Sequence, residues 1–85
     1  MAKTNPRLKR LLLEIVDNQL REKTPPETTE TFKRLQAEGH TPEEAKELIA
    51  CAVTSEIFDI MKQNQTYDEA RYIKALKALP KIPGD

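Results

Sequence analysis

The 85-residue sequence predicts an all-α fold: a compact four-helix domain of antiparallel helices joined by short loops. Three observations predict it. Apolar residues recur at steps of three and four and nowhere in strict alternation. Each such run opens on a capping signal and closes on Gly, Asn or Pro. Aromatics make up only 5% of the chain, Trp is absent and Gly occurs twice, which argues against an all-β sandwich.

The first helix is expected near residues 6–22. "NPR" supplies Asn5 as cap and Pro6 as first helical residue. Leu8, Leu11, Leu12, Ile15, Val16 and Leu20 then share one face, which Leu13 widens. Pro25 ends this helix by restricting Thr24. The second helix, near 26–38, opens on "TPPE", with Thr24 as cap or a start one residue later. Its stripe is thin: Phe32 and Leu35, with Thr28 and Gln36 on the flanks, and Gly39 as a left-handed stop. The third, near 42–63, opens on "TPEE", a capping box at Thr41 and Glu44 with Pro at the first helical position. Its face holds Ala45, Leu48, Ile49, Ala52, Val53, Ile57, Ile60 and Met61, and Asn64 is the left-handed stop. The fourth, near 67–79, opens on "TYDE" at Thr66, carries Tyr72, Ile73, Leu76 and Leu79, and stops at Pro80.

One domain over residues 1–80 with a flexible tail over 81–85 is the expected organisation. "PKIP" in that tail has PxxP spacing and is read as a helix stop followed by loose chain. Charged residues are 33% and apolar residues 38%, with zero formal charge, as suits a soluble chain. No apolar run has a membrane-spanning length of about 18 residues. After "MAKTNPRLKR" the apolar "LLL" is cut off by Glu14 and Asp17, so no secretory core forms. A single cysteine excludes an internal disulfide, and a cytoplasmic location is the expectation.

Charge is unevenly spread. Residues 11–70 hold 13 acids against 6 bases, while all other bases lie in 1–10 and 71–81. If the two ends adjoin in the fold, Lys3, Arg7, Lys9, Arg10, Arg71, Lys74 and Lys77 make a basic patch on an acidic body. A weak nucleic-acid role follows as the alternative function.

The residues that could carry chemistry are few. His40 precedes a cap, where a side chain can fold over Ala45, and no second histidine exists to complete a metal site. Cys51 sits mid-helix between alanines, where thiols behave as small apolar groups. Glu43, Glu44 and Glu47 suit the positive end of the helix dipole. No catalytic, cofactor or metal residues are assigned, and the chain is not expected to be an enzyme. Glu56 and Asp59 stand out, because Glu56 falls within the apolar stripe of the third helix. Either the stripe drifts towards Ile57 and Met61 and leaves Glu56 at a rim, or Glu56 is a buried polar link or a ligand site. Its candidate partners are Lys9, Arg10, Arg21, Arg71 and Tyr72.

"NP.L" at Asn5–Leu8, "QL" at Gln19–Leu20, Pro25–Pro26, Arg34–Leu35, Glu44–Ala45, Phe58–Asp59 and Tyr72 together resemble a bacterial family of uncharacterised small helical proteins. The resemblance implies a compact helical domain. It also implies a metal site in some members, with histidines at the positions of Lys9, Leu13 and Glu47 and a glutamate at that of Cys51; the Lys, Leu, Glu and Cys found here imply that most of such a site is lost. The second helix, its turn and the third resemble a helix-turn-helix, yet Glu43, Glu44 and Glu47 would repel phosphate. The expected role is a non-catalytic protein-interaction or assembly module. The third helix outruns its short partners, so a homodimer through it and the exposed flank of the first is expected, with no membrane partner.

Overall fold

The 3.6-residue periodicity becomes four helices in a computed structural model that describes residues 6–64 and 66–82. They are α1 (Pro6–Glu22), α2 (Pro26–Ala37), α3 (Pro42–Gln63) and α4 (Glu69–Ala78). Asn5, the expected cap of α1, lies outside the described residues, as do Lys3 and Pro83.

The helix ends follow local chemistry, with two departures from expectation. α1 stops because Lys23 is left-handed at φ +56°, and the Thr24 N–H donates back to the Gln19 carbonyl at 3.2 Å. The chain has therefore turned before Pro25 acts. Thr24 does not cap α2: Pro25 takes the cap position without a side-chain bond, and the Thr24 hydroxyl donates to the Glu22 carbonyl at 3.2 Å. The start lies one residue later, as the second proline permits. At the other end of α2, Gly39 sits at φ +107°, where a side chain would be strained. The His40 and Gly39 N–H groups donate to the Leu35 and Gln36 carbonyls, each at 3.0 Å, closing a Schellman motif.

α3 carries both bonds of the capping box. The Glu44 N–H donates to Thr41 Oγ1 at 3.1 Å, and the Thr41 N–H donates to Glu44 Oε1 at 3.0 Å. Asn64 ends it at φ +53°. α4 starts two residues later than expected, with Asp68 rather than Thr66 as cap: Asp68 Oδ1 accepts from the Arg71 N–H at 3.2 Å. The cause lies in α3. Glu56 takes the Asp68 N–H, which holds Asp68 extended at φ −122° as the last non-helical residue.

α3 is the hub and packs against all three other helices; α2 also packs on α1 and α4. Val16, Leu35, Ala45, Ile49, Ala52, Val53, Tyr72, Leu76 and Leu79 form the buried core. Alanines at 45, 50 and 52 keep α3 thin where its neighbours cross it. At about 33 Å, α3 runs nearly the longest dimension of the domain, 35 Å, whereas α2 and α4 reach about 18 and 15 Å.

α1 buries less than its stripe suggested. Val16 is its one fully buried residue; Leu12, Leu13 and Leu20 pack partly, and Leu8, Leu11 and Ile15 stay exposed. An apolar arc of about 200° meets only two neighbours, α2 and α3, and they cannot cover it.

Candidate functional site

Glu56 is the unusual residue of the molecule. It sits on the inner face of α3, one turn after Ala52, and is only 5% exposed. The face does not drift to leave it at a rim. Ile57 and Met61 are the exposed residues instead, and the carboxylate takes the buried side. Such a charge must be paired inside. Arg71 provides the pairing from the first turns of α4: its Nε donates to Glu56 Oε1 at 2.8 Å and its Nη2 to Oε2 at 2.7 Å. Oε2 also accepts the Asp68 N–H at 3.0 Å. Asp59, one turn on, stands 3.6 Å from Arg71 Nε and is half-buried. Of the five partners considered for Glu56, the structure selects Arg71.

This geometry fixes the charge states. The two Arg71 hydrogen bonds hold the Glu56 carboxyl below its ordinary range, against the opposing effect of burial and with help from the Asp68 N–H. A general acid or base would need a value near the working pH. Glu56 is thus a carboxylate at neutral pH, and it clamps the end of α3 to the start of α4.

A second polar link crosses the domain. Gln19 Oε1 accepts from the Thr28 hydroxyl and from the Tyr72 hydroxyl, both at 2.8 Å. It joins α1, α2 and α4, and burial raises the Tyr72 phenol above its usual value. Thr28 is therefore a core residue rather than a flank. At the far end of α4, Arg34 Nη2 donates to the Leu76 carbonyl at 3.1 Å, a second donor on a carbonyl that also accepts the Leu79 N–H at 3.2 Å. Neither link was assigned from sequence. The Gln19–Tyr72 and Arg34–Leu76 bonds have no local signal, because their partners lie 53 and 42 positions apart.

The remaining candidates scatter. Lys9 bonds Glu47 at 2.8 Å and Arg71 is held by Glu56 and Asp59, so both face carboxylates. Lys74 and Lys77 are exposed on α4, Arg7 and Arg10 on α1, and these two helices make no backbone contact among the described residues. His40 Nδ1 lies 3.8 Å from Glu44 Oε1, an acid four residues on. His40, Glu44, Glu47, Leu48, Cys51 and Ile82 line a shallow depression of about 360 Å³. Ile82, placed in the loose tail by sequence, is half-buried there. Among the described residues no three His, Cys, Asp or Glu side chains are grouped to hold a metal. No helix there is long and apolar enough to cross a membrane.

The opposite side of the α3 end is bare. Ile57, Phe58 and Met61 lie within about 100° of arc, and Phe58 and Met61 are 63% and 74% exposed. They point away from the clamp, which holds the other face of the same two turns. No family model, curated protein or solved structure matches this chain.

Proposed function

We propose that this protein is a non-catalytic protein-interaction module that docks through the exposed apolar face at the end of α3. The observation that carries the reading is the pairing of two features on the same turns. Ile57, Phe58 and Met61 face solvent, while Glu56 on the opposite side is locked to Arg71 and Asp68. Exposed large apolar clusters mark interaction surfaces, and a rigid element presents them at low entropic cost. The nucleic-acid alternative has less support, because Lys9 and Arg71 already face carboxylates. A photoreactive side chain at Phe58, compared in cells with one at the exposed Lys33 on α2, tests the reading. Discrete protein adducts from position 58 alone are the expected result. Identical adduct patterns from both positions would remove it.

A further inference from the structure

We infer that the occupant of this face is the α1 stripe of a second copy of the chain, in a reciprocal two-fold dimer; the inference rests on the docking reading above. α1 already rests on α3 within one molecule, held by the Lys9–Glu47 and Lys46–Asp17 ion pairs at 2.8 and 2.9 Å. Those contacts bracket the α3 face between positions 46 and 47. At about 100° per residue, Ile57 and Met61 continue that same face about three and four turns further on, where α1 no longer covers it. The surface that seats an α1 helix thus extends past the end of its seat. The same chain carries a second exposed stripe on α1, Leu8, Leu11 and Ile15, between 37% and 53% exposed and spaced to fit a helix face.

Area decides between one patch and two. At about 200 Å² for a fully exposed large apolar side chain, the α1 stripe presents roughly 280 Å² and the α3 face roughly 350 Å². A standard interface needs about 800 Å² per partner, about 60% of it apolar, or roughly 480 Å². Neither stripe reaches that value alone. Together they exceed it, and two-fold symmetry uses both on every copy, each α1 stripe covering the other copy's α3 end.

Sedimentation equilibrium of the full chain, from about 1 to 500 μM, reads the assembly. A dimer is expected, weakened at least tenfold by either Leu11→Lys or Met61→Lys. Both positions are exposed, so the thermal melt should hold; Ile15→Lys and Phe58→Lys serve if either variant fails to fold. In a Cys51→Ala background, mild oxidation of a mixture of Leu11→Cys and Met61→Cys chains should give a mixed disulfide that neither chain forms alone. A monomer across the whole range, or disulfides only between identical variants, would overturn the inference. The monomer result would leave the docking reading to its own test at Phe58.

Discussion

Replacing Glu56 by Gln probes the clamp with the least change of shape. The native carboxylate accepts two hydrogen bonds from Arg71 and one from the Asp68 N–H. An amide offers one accepting oxygen and turns an NH₂ towards a guanidinium that can only donate. At least one charge-assisted bond is lost and a donor faces a donor. Losing a hydrogen bond to a charged partner costs about 1.5–3 kcal/mol, and breaking a buried pair about 3–5. Arg71 keeps 30% of its side chain exposed and regains water, so the lower figures apply. We expect Glu56→Gln to lose about 2 kcal/mol at pH 7. That is roughly 2 M in urea midpoint at an m-value near 1 kcal/mol/M, followed by far-UV circular dichroism. The pH dependence gives a second readout. Native Glu56 titrates below the ordinary value of 4.5, so its contribution is complete above that value and is lost as pH falls through the lowered native one. The gap between wild type and variant should therefore close in acid. A variant as stable as wild type at pH 7, or a gap unchanged at pH 3, would refute the clamp as a net stabiliser.

Other perturbations test the ends and the second polar link. Thr41→Ala removes the capping-box acceptor and should cost about 1 kcal/mol, a fall of several degrees in Tm. Tyr72→Phe leaves Gln19 still bonded to Thr28 and should cost about 1 kcal/mol. Adding Thr28→Val strips both donors from a half-buried amide, so a double-mutant cycle should exceed the sum of its parts. Lys23→Gly should gain about 0.5 kcal/mol in urea unfolding, because relief of the left-handed strain outweighs the added chain entropy.

Much of the frame was legible because it is written locally. "TPEE" contains its whole capping box within four residues, and Gly39 and Asn64 can take the left-handed turn where most residues resist it. "TPPE" left two starts open, and its two adjacent prolines select the later one, past Thr24. "TYDE" carries the same letters and misled, because a carboxylate from α3 selects Asp68. The site was half legible. Glu56 stood out as an acid within an apolar stripe, but its burial depends on where α4 puts Arg71, which spacing within α3 cannot say. The same limit applies to α1: its periodicity shows an apolar arc, while the number of neighbours decides how much of it is covered.

The clamp and the exposed face belong to the same two helical turns, and that permits a test of whether they work together. Glu56→Gln leaves Ile57, Phe58 and Met61 untouched as chemistry. If docking needs only apolar area, the variant should dimerise like wild type. Among the described residues, the other charged contact between the last turns of α3 and α4 is the longer one from Asp59 to Arg71, at 3.6 Å. Freed from the clamp, these turns should fray, and ordering them again on association would cost about 1–2 kcal/mol per backbone residue fixed. Amide exchange over residues 57–63 should therefore accelerate relative to the core of α3, and the inferred dimer should weaken at least tenfold without any change at its surface. Unchanged association alongside faster exchange would separate the two features, leaving the clamp to stability and the face to binding.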